Sequence, residues 1–247
     1  MIKNFWFSNV YLLFQKRLKV ELKAAVEELK EKVERGEDVK AQFWKIVGEV
    51  KRRDVDKEVL RDIAEIRDLI FDKKTVLSAK TGNILFPILF LLSNASFLYA
   101  ALTKVSFVLL LLLEAIVLYF TFLNGRVLGS RLTGIKIEGY YRLNPVELGM
   151  KLDFESYLKV PQKSRVLFFL TPILFEHAVL LFHALILYLA KTELHWIPLL
   201  FVFVNIPFSY LVYRVKKTGE LYRFLRELKI LKELSEKPPS EKDQEDG

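Results

Sequence analysis

The chain has no cysteine among its 247 residues. That excludes disulfides, thiol catalysis and Cys-ligated zinc or iron–sulfur centres. Only two methionines are present, and glutamine is scarce beside abundant lysine and glutamate. This is the bias of hyperthermophile proteins, and it predicts a hot-environment source. No phosphate-binding loop, GxSxG, HExxH or GxGxxG motif occurs. The chain therefore carries no ATPase site of its own, and neither a cofactor nor a metal is expected. No nucleic-acid module is visible, so no nucleic-acid partner is expected. No secretory leader is expected either. Residues 1–14 are apolar and aromatic but broken by Lys3, Asn4, Ser8 and Asn9, with no small-residue cleavage site after them.

What is present is apolar and unevenly placed. Hydrophobic residues make up 52% of the chain, close to the usual ~45–50% of soluble domains, so distribution decides the class. Four segments are long and apolar enough to cross a bilayer: 84–102, 105–123, 166–190 and 196–213. None contains Lys or Arg. The prediction is an all-α polytopic membrane protein with four transmembrane helices, cytoplasmic N-terminal helices and a C-terminal helix.

Net charge is +8, with 38 Lys+Arg against 30 Asp+Glu. The connections 103–104 and 191–195 hold one basic residue each, and the other 36 lie in 1–83, 124–165 and 214–247. The positive-inside rule puts those three parts, and both termini, in the cytoplasm. The expected location is the plasma membrane.

Residues 1–83 read as three helices. The first is expected from Asn4 to Arg35 and opens with Ile2, Phe5, Trp6, Val10 and Leu13 before Lys16, Arg17 and Lys19. Such an opening fits a helix in the membrane interface, or equally a core helix of a cytoplasmic bundle. Its continuation carries a stripe of Leu18, Leu22, Ala25, Leu29 and Val33, with a coiled-coil-like mix of Glu and Lys between, and Gly36 as a stop. A second helix carries Phe43, Trp44, Val47 and Val50. A third, capped by Asp54 or Asp56, carries Val59, Leu60, Ile63, Ile66 and Ile70. Residues 214–236 read as a helix continuing the fourth span. Its apolar face (Leu221, Phe224, Leu225, Leu228, Leu231, Leu234) is expected to dock on the N-terminal helices or on a second copy. The tail 237–247 is expected to be disordered.

The loop 124–165 holds five of the ten glycines. Alternation at Ile135, Ile137 and Tyr141 allows a short hairpin, and Pro145 could open a helix through Met150 to Lys159 that Pro161 ends. So long a connection commonly docks a partner or forms a surface platform. Tyr140, Tyr141, Glu147, Asp153 and Glu155 are its candidate docking residues.

The main functional clue is depth. Asn94 with Ser93, Glu114, Glu176 with His177, and Asn205 fall near the centres of the four segments, with His183 two turns beyond Glu176. Charged groups cost roughly 2.5–3.5 kcal/mol at mid-bilayer and normally face a bundle interior or wet cavity. Glu176 and His183 share one face about 10 Å apart, whereas His177 points about 100° away. The candidate ion or substrate pathway is Glu114, Glu176, His183, Asn205, Asn94 and His177. The alternative is interhelical hydrogen bonding that fixes packing. Pro172 and Pro207 lie within about a turn of Glu176 and Asn205 and could mark a hinge or cavity wall.

Glu155, Tyr157-Leu158, Val160-Pro161 and Ser164-Arg165, just before the third span, are similar to a loop of ABC-2-type transporter permeases, where a Leu-x-x-Pro segment with basic residues leads into a span. The resemblance implies an ATPase partner docking on 124–165 and movement of a hydrophobic or amphipathic substrate. The leading expectation is a non-enzymatic, permease-like transport component in the lipid bilayer, acting as a homo-oligomer or with a cytoplasmic partner. A membrane-anchored scaffold is the alternative, and a lipid-modifying enzyme the second.

Overall fold

A computed structural model describes residues 2–53, 55–71, 73–103, 105–142 and 148–236, with backbone alone for 2–16. Pro145, Glu147, Asp54, the tail 237–247 and the apolar side chains that open the first helix lie outside the described residues. The helices are α1 (Ile2–Glu34), α2 (Lys40–Val50), α3 (Lys57–Ile70), α4 (Ala79–Leu102), α5 (Phe107–Thr133), α6 (Phe154–Lys159), α7 (Gln162–Leu189), α8 (Trp196–Lys216) and α9 (Gly219–Ser235). Three short strands, β1 (Thr75–Ser78), β2 (Ile137–Arg142) and β3 (Leu148–Leu152), form one antiparallel sheet in that order. The fold is all-α and polytopic, and α4, α5, α7 and α8 are each long and apolar enough to span a membrane.

The chain divides into two compact units. The first comprises the chain up to Lys74 together with Asp153–Lys159. Its core is Leu22, Val26 and Leu29 of α1, Phe43 and Val47 of α2, Ile63 and Ile66 of α3, and Phe154 and Tyr157 of α6. Gly36, at φ +75°, turns the chain after α1, a backbone geometry that costs glycine nothing. Asp56 stands at the N-cap of α3 without a capping hydrogen bond. It pairs instead with Lys19 (3.3 Å), and Lys23–Glu58 and Lys30–Glu65 continue the α1–α3 seam. These pairs are exposed and each contributes little. Buried Lys51 donates to the Tyr157 hydroxyl at 2.7 Å, which ties α2 to α6.

The second unit holds the four long helices, the sheet and α9. Ser78 and Ser106 cap α4 and α5 by accepting from the amides of Thr81 and Leu109. The helix α5 runs ten residues past the expected boundary at 123. Gly125 and Gly129, assigned to a loop by the sequence pattern, are therefore packing positions within a helix. A Cβ on Gly125 would stand 2.6 Å from Pro172 Cα, and one on Gly129 would stand 3.0 Å from the Phe168 carbonyl oxygen. The two notches let α5 and α7 meet backbone to backbone, as small residues do in membrane helix pairs. A hairpin forms, as β2 and β3, but its second arm is residues 148–152, within the stretch expected to be helix, and the helix shrinks to α6. Pairing with β2 overrides the local pattern there. Strand β1 pairs with β2 on its other edge.

The C-terminal helix does not continue the fourth span. Lys217 (φ +48°) and Gly219 (φ +83°) turn the chain, and α9 packs on α7 and α8. Its buried residues are Glu220, Glu227 and Ile230. Of the six residues expected to form its apolar face, Leu228 is exposed and the rest are half-buried. Buried basic and amide partners explain this inversion. Glu220 takes Arg126 of α5, and Glu227 accepts from Gln162 of α7 at 3.0 Å and from Arg226 at 3.0 Å.

Large apolar side chains cover the outside of the long helices, among them Leu91, Tyr99, Leu112, Phe182, Leu189 and Phe203. In water such a surface would be an aggregation site; in a bilayer it is the solvated one.

Candidate functional site

The polar groups of the four long helices sort into two sites. The first is closed. His183 of α7 is fully buried and places Nδ1 3.2 Å from Glu114 Oε2 of α5, and Nε2 2.8 Å from Asn94 Oδ1 of α4. Glu114 is fully buried as well. Phe97 stacks on the imidazole, with ring centroids 4.7 Å apart. Asn94 donates its own amide to the Phe90 carbonyl at 2.6 Å, and Ser93 donates to the same oxygen. One histidine thus ties three helices together. Apolar neighbours including Leu110, Val117, Val179 and Leu187 seal the cluster.

The second site is open. Glu176 of α7 accepts from the Asn205 amide of α8 at 2.6 Å, and Ser209 donates to Asn205 Oδ1 at 3.1 Å. These groups border a cavity of about 410 Å³, which His177, Thr218, Gly219 and Glu220 also line. Its apolar walls are Phe122, Ile173, Ile206, Phe208, Val212 and Leu221. It reaches from the middle of α7 to the turn between α8 and α9.

Glu176 and His183 therefore serve different sites, although they lie on one helix face. A face drifts by about 20° every seven residues, and α7 meets α8 at Glu176 but α4 and α5 at His183. His177 and Glu176, expected to face different targets, line the same cavity. Groups about 100° apart on one helix can flank a single chamber when it is this wide. The His177 Nδ1 lies 2.8 Å from the Ile173 carbonyl. That oxygen can only accept, so Nδ1 carries a proton and Nε2 is the ring's other polar atom.

Glu220 was not legible as a site residue, because α9 was read by its leucines. Its Oε1 accepts from Arg126 and from Arg223. Its Oε2 is buried and is, among the described residues, the one buried side-chain oxygen or nitrogen with no hydrogen-bond partner. A buried unsatisfied acceptor costs about 1–3 kcal/mol, and this oxygen is closed off from the cavity as well as unpaired.

The candidate docking residues are placed otherwise. Tyr140 is fully buried; its hydroxyl donates to Asn83 Oδ1 at 2.7 Å and its ring packs edge-on against Phe86. Burial pushes its phenol up to about 12. Tyr141 is buried too, so neither ring offers a surface to a partner. Asp153 accepts from the Ser156 amide at 3.2 Å and so caps α6, while Glu155 is half-buried. Among the described residues no three His, Asp or Glu side chains gather as metal ligands would.

No known family, curated protein or solved structure matches the chain. The functional case rests on the chemistry of the two sites.

Proposed function

We propose that the protein is a membrane transport component, permease-like and non-enzymatic, whose substrate passes through the cavity at Glu176, His177 and Asn205. The observation that carries this reading is Glu176, an acidic side chain at mid-helix that opens on a cavity with apolar walls. Intramembrane carboxylates normally mark pathways when they border a chamber and packing when they do not. The closed Glu114–His183–Asn94 cluster falls in the second class and the Glu176 cavity in the first. In this reading the termini and basic loops are cytoplasmic, as the charge distribution favours. The resemblance of residues 155–165 to ABC-2-type permeases supports an ATPase partner for the cytoplasmic face.

The test uses cells that express the full chain and a panel of cationic, anionic and neutral amphipathic dyes. Accumulation of at least one dye is expected to differ from that in control cells. Glu176→Gln is expected to abolish the difference, and Glu114→Gln to leave it. A difference that survives Glu176→Gln unchanged takes the cavity out of the pathway.

A second reading has an observation of its own. The unit built from α1, α2, α3 and α6 is a compact body with its own core, as a membrane-anchored scaffold requires. Cross-linking of the full chain in membranes tests it: a reproducible partner held through α1–α3, with no dye moved, would favour the scaffold.

A further inference from the structure

We propose that the cavity is a binding site for a lipophilic primary ammonium, held at Glu176 with its apolar body along Phe122, Ile173, Val212 and Leu221. The inference deepens the transport reading and rests on it only for the fate of the ligand.

Most of the unspent polar atoms on the side chains that line the cavity are acceptors; the donors left are the Thr218 hydroxyl and the second N–H of the Asn205 amide. Asn205 occupies Glu176 Oε1 and leaves Oε2. Ser209 spends its proton on Asn205 and keeps lone pairs. His177 spends its Nδ1 proton on the Ile173 carbonyl, and in the neutral ring Nε2 is an acceptor. A wall with more unspent acceptors than donors fits a ligand rich in donors, and a primary ammonium has three and no acceptor.

Charge points the same way. Glu220 already faces Arg126 and Arg223. Among the described residues, Glu176 forms no ion pair with any Lys or Arg. A carboxylate in so apolar a setting needs a cation or a proton beside it. The rest of the lining is aliphatic and aromatic, so the cation should carry an apolar body. The opposing feature is the first turn of α9, whose amides at Gly219, Glu220 and Leu221 could attract an anion. That makes an anionic ligand a necessary arm of the test.

The experiment measures equilibrium binding of radiolabelled octylammonium to the full chain in nanodiscs of neutral lipid, with empty nanodiscs as blank. Octyltrimethylammonium, which keeps the charge and has no N–H donor, and octanoate, which reverses the charge, serve as competitors. Saturable binding at one octylammonium per chain is expected, with each competitor at least tenfold weaker. Glu176→Gln is expected to weaken binding tenfold or more. A second variant, Val212→Trp, fills the cavity without touching a charge. It is expected to abolish binding while thermal unfolding stays within a few degrees of the parent. Binding no better than the blank overturns the proposal, as does octanoate binding as well as octylammonium, or Val212→Trp binding unchanged. Binding without dye movement in cells would sink the transport reading alone. Movement of an anionic dye with no amine binding would sink the ligand class alone.

Discussion

His183 is the side chain on which most helices converge, and its loss has a definite expected cost. His183→Ala leaves Glu114 buried without its partner, and one unsatisfied buried group costs about 1–3 kcal/mol. Adding Glu114→Leu removes the stranded carboxyl and is expected to recover part of that loss. Unfolding of the single and double variants in mild detergent, read as a double-mutant cycle, checks it. A double variant no more stable than His183→Ala would show that the two groups do not interact. Tyr140 gives a pH test outside the spans. Its phenol is neutral in the fold up to about 12, whereas in the unfolded chain it ionises near 10. Its contribution is complete below about pH 10 and is lost as pH rises from there through about 12. Tyr140→Phe is expected to cost about 1 kcal/mol at neutral pH, through the lost bond to Asn83, and to flatten this alkaline decline. The sequence shows which polar residues sit at mid-depth, because charge inside an apolar run stands out. It does not show how they pair, since pairing depends on which helices touch at each level. Glu114 with His183, and Glu176 with Asn205, could not have been separated from spacing alone.

At the scale of elements, the long helices were legible and their ends were not. Apolar content announces α4, α5, α7 and α8, yet α5 passes through Asn124, Gly125 and Arg126 because α7 packs on that stretch. Glycine there looks like a loop signal and acts as a notch. Gly125→Ala is expected to destabilise the protein by about 1–3 kcal/mol, the range for overpacking, because its Cβ would overlap Pro172. Thermal unfolding in detergent measures this, and an unchanged midpoint would mean that α5 and α7 do not approach so closely. Strand β3 was hidden for another reason. Leu148–Leu152 has no strong alternation, and its extended state comes from pairing with β2. The helix α9 was read by its leucines, whereas two of its three buried residues are carboxylates, paired with Arg126 and Gln162 from far away in sequence. No local pattern carries that information.

For the whole molecule, the absence of cysteine makes topology directly measurable. A single cysteine at Glu193→Cys, in the short turn between α7 and α8, is expected to react with an impermeant maleimide in intact cells. One at Lys229→Cys in α9 is expected to react only after permeabilisation. The reverse pattern would invert the orientation drawn from charge. Fold class was readable because four apolar blocks in so short a chain leave too little polar chain to cover them. The division into two compact units was not readable. Helix α6 lies between β3 and α7 in sequence but belongs with α1, α2 and α3, so the first unit is assembled from two separate stretches of chain.

Pro172 has no N–H to give, and the carbonyl it leaves unserved within α7 is that of Phe168. That oxygen lies against Gly129, where no side chain stands. The gap in the helical ladder and the bare patch on the facing helix thus coincide, one turn below Glu176. A rocking of the upper half of α7 at this joint would break no ladder bond at Pro172, and it would carry both cavity groups, Glu176 and His177. Pro172→Ala refills the ladder and is expected to stiffen the joint, raising the unfolding temperature while slowing any movement of ligand. A variant that is both stiffer and faster would show that the joint plays no part in turnover.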